Sequence, residues 1–561
     1  MEILYFDVIT IGAGGGGCIA AITASEQGAK VALISKGLIG YGNTRIAGGN
    51  IASVGFQKGD NPDIFLQNIL ESGEFIGQRS VIKEIAQEAI KIPEILENFG
   101  LIFKRNQEGI FDDSAICRRG GHSHSRSLST SSKGIGFGNV LEMAIARSNL
   151  TIFEEMIAIK LISNHEYISG VICFDLRNNK IIYLSCKAII LATGGASWIY
   201  YPHTTNTKEA TGDGYSLAIS AGAELMNMEM VQFQPFGLAY PPHLVGLPCG
   251  EPAHAGPFGR LLAGDKKTVI LEKLNRMTRA QVSKEVAMAI KKGFGTVNDG
   301  LLLDLSGNLS MSDKNQYLGM LGGPGGILYR VKFALGEKAA KLEEPWEIAP
   351  TAHFFMGGVV TDNSGLTNIK GLYCIGEVNG TVHGANRLGT VALTEVFIMG
   401  IKSGLMAAEE EQKKSFSNIE PKKKNMIIKE LNKELFLKVD SNGKYHPINL
   451  IRQVQKIVWD HAGPVKSQED ITLGIKKLYE IKDLSQNIKI SMNTNYNTEI
   501  RDLIELDGMI KVAEMIMQSA LIRKESRGAH IRSDFPDKWA SSYCTIVWYK
   551  DNQLKVKIRR I

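Results

Sequence analysis

Three glycines near the N-terminus have the spacing that binds a pyrophosphate. Gly12, Gly14 and Gly17 form the pattern G-x-G-x-x-G inside "ITIGAGGGGCIAA". Glycines there let the backbone approach a pyrophosphate, which lies at a helix N-terminus because free N–H groups and the helix dipole favour negative charge. The spacing therefore predicts that this segment binds a dinucleotide.

The elements around these glycines occur in the order that such a site requires. Residues 5–11, "YFDVITI", read as a buried strand, "GGCIAAITASEQG" as a helix of small residues, and "KVALIS" as the next strand. An acidic residue usually ends this second strand in NAD sites. Here Ser35 stands at that position and Lys36 follows it, so the sequence does not predict a standard NAD site.

Later strands of the same type predict that the dinucleotide-binding unit is interrupted. "KAIILATGGAS" and "IKGLYCIGEVNGT" read as buried strands that end in glycines, and Phe236–Pro350 between them has its own Gly/Pro-rich loops. The predicted class is α/β, with a Rossmann-like domain, an inserted domain and a C-terminal helical domain. The predicted ranges are 1–235 and 351–410 for the interrupted domain, 236–350 for the insertion, 411–525 for solvated amphipathic helices, and 526–561 for a tail with a hairpin.

Composition excludes several classes of function. The 561 residues carry a formal charge of +6, but the only basic cluster is Lys422–Lys424, which argues against nucleic acid as a partner. Seven cysteines without a C-x-x-C pair argue against a disulfide framework and against a metal site or iron–sulfur cluster in this chain. No apolar run reaches about 18 residues, which predicts no direct membrane insertion. The expected location is cytoplasmic. This expectation is compatible with attachment to the inner face of the membrane through partner subunits.

Ten segments, in this order, resemble the flavoprotein subunit of the succinate dehydrogenase/fumarate reductase family, which also includes L-aspartate oxidase and adenylylsulfate reductase. They span residues 12–536. The resemblance implies a noncontiguous FAD domain, a mobile capping domain and a C-terminal helical domain that docks an iron–sulfur subunit in complexes. The segments are "GAGGGG", "GNTRIAGGN", "GGHSHSR", "ILATGGAS", "TGDG", "MEMVQFQPFGL", "PTAHFFMGGV", "GLYCIGEV", "HGANRLG" and "ESRGAHIRSDFP".

The resemblance also implies which residues hold the FAD. The first glycines would meet the pyrophosphate, the end of the second strand the adenosine ribose, the "GNT" loop the isoalloxazine, and the start of the long helix after "HGANRLG" the flavin pyrimidine edge. Asp213 would lie near the flavin linker and Glu377 at the ribityl chain. The implied FAD-binding residues are Gly12, Gly14, Gly15, Gly17, Ser35, Lys36, Asn43, Thr44, Gly49, Asp213, Glu377, Ala392 and Leu393.

Reduction of an activated C=C bond requires a hydride donor, groups that bind carboxylates, and a proton donor on the opposite face. By resemblance, reduced flavin N5 supplies the hydride, Arg279 donates the proton, and His353 and Arg387 hold one carboxylate. A free arginine is too basic to release a proton readily, so this role requires a relay and a closed, dry site. The aspartate that usually follows this arginine is Ala280 here. His383 is expected either to contact the flavin or to contact the residues that line the site.

This chain departs from the family at the other carboxylate. Members specific for dicarboxylates have His, Pro and Thr after "QF", whereas this chain has Gln234, Pro235 and Phe236. Gly250 and Glu251 stand where a Thr-Glu pair is expected, so Gln234 and Glu251 are the candidate substrate contacts. The lost imidazole and hydroxyl weaken the expected binding of that anion. The sequence therefore leaves four candidate substrates, which are fumarate, succinate, another enoate and a larger dicarboxylate.

Three further functions are compatible with the resemblance. L-aspartate oxidase carries a similar "RRGGHSHSRSLSTSSKG" loop, but the glutamate that receives the substrate ammonium is replaced by Arg119, which reverses the charge. An adenylylsulfate reductase-like flavoprotein and a catalytically silent electron-transfer flavoprotein are the others. The favoured interpretation is the flavoprotein subunit of a fumarate reductase/succinate dehydrogenase-like complex, with a separate iron–sulfur protein as partner.

Asn43 predicts how the FAD is attached. In membrane-linked members of the family, a histidine at this place before the threonine bonds to the flavin 8α-methyl group, which raises the flavin potential. An amide nitrogen is not nucleophilic enough to replace imidazole. The resemblance therefore implies noncovalent FAD and a bias toward reduction over succinate oxidation.

Overall fold

The structure is a computed structural model that describes residues 3–111, 116–130, 132–164, 167–322, 326–411, 426, 429, 431, 443–491, 496–551 and 553–561. The basic cluster Lys422–Lys424 and most of the beginning of the predicted helical domain lie outside the described residues.

Strands and helices alternate through the first part of the chain, as the sequence predicts. In chain order the strands are β1 (Ile3–Ile11), β2 (Val31–Ile34), β3 (Asn50–Ala52), β4 (Ile116–Cys117), β5 (Ser127–Ser129), β6 (Thr151–Phe153), β7 (Met156–Asn164), β8 (Tyr167–Asp175), β9 (Lys180–Leu191), β10 (Leu225–Met226), β11 (Val231–Leu238), β12 (Arg260–Leu262), β13 (Val269–Glu272), β14 (Leu301–Asp304), β15 (Trp346–Phe355), β16 (Gly358–Val359), β17 (Leu372–Cys374), β18 (Val465–Lys466), β19 (Ile531–Arg532), β20 (Tyr543–Lys550) and β21 (Gln553–Arg560).

The helices form layers on these strands. In chain order they are α1 (Gly15–Glu26), α2 (Asn43–Ile46), α3 (Pro62–Ser72), α4 (Arg79–Glu88), α5 (Ile92–Asn98), α6 (Lys133–Arg147), α7 (Asp213–Ser220), α8 (Arg279–Ala289), α9 (Lys314–Leu321), α10 (Ile327–Leu335), α11 (Glu337–Ala340), α12 (Val391–Glu411), α13 (Pro447–Ala462), α14 (Gln468–Leu484) and α15 (Thr498–Ile522).

A seven-stranded mixed sheet forms the centre of the nucleotide-binding region. Its order is β6-β2-β1-β9-β8-β7, and β17 pairs with β9. The strands β6, β2, β1, β9 and β17 run parallel, whereas β7 and β8 form an antiparallel meander next to β9. The chain reaches β17 only after the inserted residues, so the interrupted sheet is present. The α/β class and its layered arrangement are therefore confirmed.

The long helix α12 packs on α1 behind this sheet. A Cβ added at Gly400 would lie 2.3 Å from Cγ2 of Ile19, and one at Gly404 would lie 2.6 Å from the carbonyl oxygen of Ala20. The two helices are thus close because these positions lack side chains. Within the described residues, Val391–Glu409 is long and apolar enough to cross a membrane, with a mean hydropathy of 1.5. The expectation of no direct membrane insertion stays a prediction, because 61% of that window is buried in the protein and a core helix passes the same test.

The inserted residues build a second sheet with its own core. Its five antiparallel strands have the order β11-β15-β14-β12-β13. Residues from Phe236 to Ile348 form a separate hydrophobic cluster between this sheet and α8–α11. The two flanking strands, β11 and β15, continue beyond the cluster and carry residues toward the nucleotide-binding region. Side chains at their ends are therefore held at the boundary between the two regions.

The C-terminal helices do not stand apart as a solvated bundle. α13, α14 and α15 share one hydrophobic core with the central sheet, which includes Ile9, Phe174 and Met515. The strands β20 and β21 form an antiparallel hairpin, and β20 also pairs with β10, so the hairpin belongs to a four-stranded sheet. The amphipathic pattern indicated the helices, but their apolar faces are covered by the rest of the protein.

Candidate active site

A large cavity lies where the two regions meet the C-terminal segment. Its volume is about 1740 Å³, which exceeds the roughly 300–1,000 Å³ of most small-ligand sites and leaves room for a dinucleotide together with a substrate. All the site residues proposed from the sequence line it, except Gly17 and Gly49. The lining residues among them are Gly12, Gly14, Gly15, Ser35, Lys36, Asn43, Thr44, Asp213, Gln234, Glu251, Arg279, His353, Glu377, Arg387, Ala392 and Leu393.

The glycine turn forms one end of the cavity. Gly12 has φ of +106°, and a Cβ there would lie 2.3 Å from the carbonyl oxygen of Ala192. Gly14 precedes the first turn of α1, and the N–H of Gly15 donates to Oγ1 of Thr44 at 3.1 Å. A helix N-terminus with an open backbone is therefore presented to the cavity, which fits the pyrophosphate of an FAD.

Gly17 and Gly49 do not line the cavity, and their contact with the FAD stays a prediction. A Cβ added at Gly17 would lie 1.7 Å from the carbonyl oxygen of Gly12, so this glycine allows α1 to pack on the strand end. Gly49 has φ of +74°, and a Cβ there would lie 2.2 Å from Cα of Lys133. Their roles in this structure are close backbone packing, which shapes the cavity from outside.

Lys36 and Asp213 lie together, although the resemblance assigns them to different parts of the FAD. Nζ of Lys36 is 2.7 Å from Oδ2 of Asp213 and 2.9 Å from Oε1 of Glu505 on α15. It also donates to Oγ1 of Thr211 at 2.6 Å. The backbone N–H of Ser35 donates to the carbonyl oxygen of Phe153 at 2.8 Å. Two carboxylates thus hold the ammonium, and the one from the C-terminal helices was not predicted from the sequence.

Asn43 connects the predicted isoalloxazine loop to the substrate end. Its amide donates to Oδ1 of Asn206, and its Oδ1 accepts from the N–H of Thr207 at 3.1 Å. Asn206 in turn donates to the carbonyl oxygen of His353 at 3.0 Å. Asn43 therefore has a structural partner and helps to fix the strand that carries His353.

Buried carboxyl groups lie near the same loop. Burial raises the pKa of Glu377 to about 7, although the N–H of Phe355 donates to its Oε1 at 2.9 Å and opposes the shift. Burial likewise raises the pKa of Glu395 to about 8. Ala392 and Leu393 lie in the first turn of α12, where backbone N–H groups lack helical acceptors. Both residues line the cavity, so their backbone N–H groups are available to the pyrimidine edge of a flavin.

Arg387 is a buried cation that faces the cavity. Its guanidinium lies 4.7 Å from the ring centroid of Phe354, and its Nε has no hydrogen-bond partner among the described residues. Burial, followed by the charge of Arg279, lowers the pKa of Arg387 to about 9. No ion pair of Arg387 occurs within the described part of the chain. An unpaired buried charge is costly, so the position is suited to an anionic ligand.

His353 lies near Arg387 at the end of β15. Its Nδ1 is 2.8 Å from Oγ1 of Thr205. Burial and then the charges of Arg387 and Arg279 hold the pKa of His353 well below its ordinary value. The imidazole is therefore neutral at pH 7 and contributes a hydrogen bond rather than a charge. His383 is not at the cavity wall: it packs edge-on against Phe354, with ring centroids 5.0 Å apart.

Arg279 is the first residue of α8 and reaches into the cavity from the inserted region. Its Nη2 is 2.5 Å from Oε1 of Glu251, and its Nη1 donates to Oε1 of Gln232 at 3.4 Å. A cation in the first turn opposes the helix dipole, so Glu251 supplies the compensating charge. Burial alone would raise the pKa of Glu251, but the charge and hydrogen bond of Arg279 lower it to about 2. The pair is thus an arginine–carboxylate contact at the wall of the cavity.

Residues around Gly250 line the end of the cavity that lies away from the glycine turn. The amide of Gln234 donates to the carbonyl oxygen of Gly250 at 2.6 Å, and Phe236 is buried in the core of the inserted region. The amide nitrogen of Gln234 therefore braces the loop, and the contact of Gln234 with the substrate stays a prediction. His254, three residues after Glu251, accepts from the N–H of Glu251 with its Nδ1 at 3.1 Å. His254 was not predicted from the sequence, although the spacing of a capping box could have indicated it.

The described residues contain no group of three or more His, Cys, Asp or Glu side chains that could hold a metal ion. The seven cysteines are free thiols, and Cys117 is the exposed one.

Comparisons with known proteins agree with this geometry. Residues 7–393 match the family described as FAD binding domain, and residues 451–561 match the family described as fumarate reductase flavoprotein C-term. The chain is 31% identical over 543 residues to one of the subunits of the fumarate reductase (CoM/CoB) of Methanothermobacter marburgensis, covering 96% of this chain and 95% of that protein.

Solved structures show the same fold. A quinol fumarate reductase chain of E. coli superposes with a TM-score of 0.88 and 25% identity, covering 100% of this chain and 97% of that one. The adenylylsulfate reductase of Archaeoglobus fulgidus superposes with a TM-score of 0.76 and 17% identity, covering 99% and 96%. Together with the family matches, these similarities show that the chain belongs to the FAD-binding succinate dehydrogenase/fumarate reductase flavoprotein family of oxidoreductases.

Proposed function

We propose that the chain is the flavoprotein subunit of a fumarate-reducing complex. The observation that carries the proposal is the convergence of Arg279, Arg387 and His353 on one cavity whose other end fits FAD. When bound and reduced, FAD supplies a hydride to the C=C bond. The protein supplies the anion site, the orientation and the proton, so that one hydride and one proton convert fumarate to succinate.

One carboxylate of the substrate binds between Arg387 and His353. The guanidinium of Arg387 is buried and forms no ion pair within the described residues, and Arg279 adds a second positive charge to the same cavity. A carboxylate relieves the repulsion between these cations and satisfies the free donors. Neutral His353 adds a hydrogen bond. Binding of the anion draws electron density from the C=C bond and fixes the alkene in the cavity.

Arg279 donates the proton to the second carbon of the alkene. Glu251 contacts Arg279 and has a side chain that is 39% exposed, whereas that of Arg279 is 16% exposed. A proton can therefore pass from solvent to Glu251 and then to Arg279 after each turnover. This relay meets the requirement that a strongly basic arginine must be reprotonated inside a closed site. Gln232 holds the second nitrogen of the guanidinium and keeps it directed into the cavity.

Replacement of Arg387 by methionine tests the anion site. We expect binding of succinate to the oxidised flavoprotein to weaken by about 100-fold, because a charge-assisted bidentate contact is lost. The melting temperature should stay unchanged or rise, because the buried unpaired charge is removed. Titration of the flavin absorbance with succinate measures the first effect and thermal unfolding the second. Succinate binding that is unchanged in this variant would contradict the assignment of Arg387.

The FAD is held noncovalently. Asn43 replaces the histidine that bonds to the flavin in membrane-linked members, and its amide is engaged with Asn206 and Thr207. We expect trichloroacetic acid to precipitate the protein and leave the yellow flavin in the supernatant, where its absorbance near 450 nm is measured. A histidine-linked flavoprotein serves as the control. Flavin that remains with the washed pellet would refute noncovalent attachment. The absence of this bond favours reduction over succinate oxidation.

A separate iron–sulfur protein is the proposed electron partner. The relative from Methanothermobacter marburgensis is named as one of the subunits of its enzyme, and residues 451–561 match the fumarate reductase flavoprotein C-term family. The isolated chain should then reduce fumarate with an artificial viologen donor but not with the physiological donor. Full activity of the purified chain with its natural donor alone would exclude the partner.

A steady-state assay distinguishes the substrates. Reduced methyl viologen is mixed with the purified flavoprotein and with fumarate, crotonate or adenylylsulfate as electron acceptor, each supplied separately, whereas aspartate is added to the oxidised flavoprotein as an electron donor. We expect fumarate to be the preferred acceptor. Arg119 lines the cavity and disfavours the ammonium of aspartate. A clear preference for crotonate would favour another enoate as substrate, and a preference for adenylylsulfate would favour that reductase.

A further inference from the structure

We propose that Arg330, together with Arg119 and His254, binds the second carboxylate of the substrate. These three residues form the distal site. The inference rests on the proposed function, because it names the substrate as a dianion. The distal site supplies positive charge at the end of the cavity where Gln234 and Phe236 stand in place of the expected His and Thr.

The helix α10 brings Arg330 to the end of the cavity near Gly250. A Cβ at Gly250 would lie 3.5 Å from Cδ1 of Ile327, the first residue of α10. Arg330 follows Ile327 by three residues and therefore lies on the same helix face. Both residues line the cavity, as do Gly250 and Gln234. Arg330 is thus placed where the family pattern has lost its imidazole and hydroxyl.

The charge of Arg330 is not neutralised by any of the residues that the structure describes. No carboxylate within the described ranges forms an ion pair with Arg330, and its Nε is buried without a hydrogen-bond partner. Among the described residues, Arg119 also forms no ion pair. Burial lowers the pKa of Arg330 from its ordinary value. A half-buried guanidinium without an anion, whose Nε is buried and has no partner in the part of the chain that the structure describes, indicates a position that a ligand completes.

His254 lines the same cavity as Arg119 and Arg330. Burial lowers the pKa of His254, and the charges of Arg119, Arg330 and Arg279 lower it further against the opposing charge of Glu251. Because its Nδ1 accepts from the N–H of Glu251, the neutral imidazole carries its proton on Nε2. His254 therefore offers a hydrogen-bond donor beside two guanidiniums, which is the chemistry that binds a carboxylate.

The distal site also joins the two regions of the protein. Arg119 lies on the segment between β4 and β5, whereas His254 and Arg330 belong to the inserted residues. A carboxylate between them would be held from both sides, and the other carboxylate would bind at Arg387 and His353. A monocarboxylate cannot make both contacts, so the two positive ends make the cavity selective for dicarboxylates.

A binding experiment on the FAD-loaded protein tests this inference without turnover. Succinate and butyrate, which differ by one carboxylate, are titrated into the oxidised protein while the flavin absorbance is recorded. We expect Arg330→Gln to weaken succinate binding by about 30-fold and to change butyrate binding by less than about twofold. Arg330→Lys should recover part of the succinate affinity. Lys332→Gln removes an exposed charge from the same helix and should alter neither affinity.

The comparison of succinate with butyrate separates the loss of the second carboxylate contact from a general loss of binding. Equal weakening of succinate and butyrate by Arg330→Gln, or no weakening of either, would overturn the inference. If this variant loses its FAD, Arg119→Gln provides the second test, with the same expected contrast between the acids. Failure of fumarate as an electron acceptor would reject the proposed function, yet the succinate and butyrate affinities would still report whether the distal site binds a second carboxylate.

Discussion

Replacing Arg279 by glutamine is expected to lower the rate of fumarate reduction by about 1,000-fold or more. The reason is chemical, since a positioned general acid contributes roughly 10²–10⁴-fold to a rate, and the amide of glutamine cannot donate a proton to carbon. The ion pair with Glu251 would also disappear, which disconnects the relay from solvent. Reoxidation of the viologen-reduced flavin by fumarate, followed by stopped flow, measures the effect on the chemical step.

Two controls distinguish the loss of the proton donor from misfolding and from weaker binding of the anionic substrate. Arg260→Gln removes a guanidinium of the inserted region that pairs with Asp304 and does not line the cavity, so it should leave the rate within threefold. Succinate binding to Arg279→Gln, recorded by the flavin absorbance, should weaken by less than tenfold. A reoxidation rate within tenfold of the unaltered protein would show that Arg279 is not the proton donor.

Gly17→Ala is expected to abolish FAD binding. A Cβ there would lie 1.7 Å from the carbonyl oxygen of Gly12, so the turn and the first helix must separate. Overpacking of a rigid site costs about 1–3 kcal/mol and more where backbone atoms must move. We expect less than a tenth of the normal FAD per protein after purification, measured from the absorbance at 450 and 280 nm, and a lower melting temperature.

Gly319→Ala is the matched control for this change. It makes the same substitution within α9, where an added Cβ meets no atom within 4 Å. Alanine should leave the FAD content unchanged and stabilise the helix slightly. Normal FAD content in Gly17→Ala would contradict the close packing of α1 against the glycine turn.

The layered α/β fold could be predicted because its signals are local. A buried strand, a glycine turn and a helix of small residues follow one another from Ile3 to Glu26, and the same pattern returns at Leu372–Cys374. The C-terminal helices show the limit of this reasoning. Their amphipathic pattern indicates that one face is apolar, but only the tertiary structure shows that this face packs against the central sheet.

The candidate site could be predicted where the resemblance supplied positions and not where the structure combines distant segments. Arg279, His353 and Arg387 line the cavity as expected. The pairing of Lys36 with Glu505, by contrast, joins residues 469 positions apart. No periodicity or motif links such residues, because their contact depends on how the helical segment docks on the sheet.

Arg330 and His254 illustrate a second reason for incomplete prediction. An arginine on an amphipathic helix is usually solvated, and nothing in the local sequence distinguishes Arg330 from the exposed Lys332 two residues later. The difference is that α10 turns one face toward Gly250 and the cavity. The functional meaning of the charge therefore depends on packing rather than on composition.

A single anaerobic mixing experiment tests fumarate reduction by this flavoprotein most directly. The purified flavoprotein is reduced with one equivalent of viologen-derived electron pairs and mixed with fumarate while the spectrum is recorded and the product is analysed. We expect the oxidised flavin spectrum to return, with one succinate formed per flavin. A flavin that stays reduced with fumarate, yet is reoxidised by another acid, would contradict the proposed function.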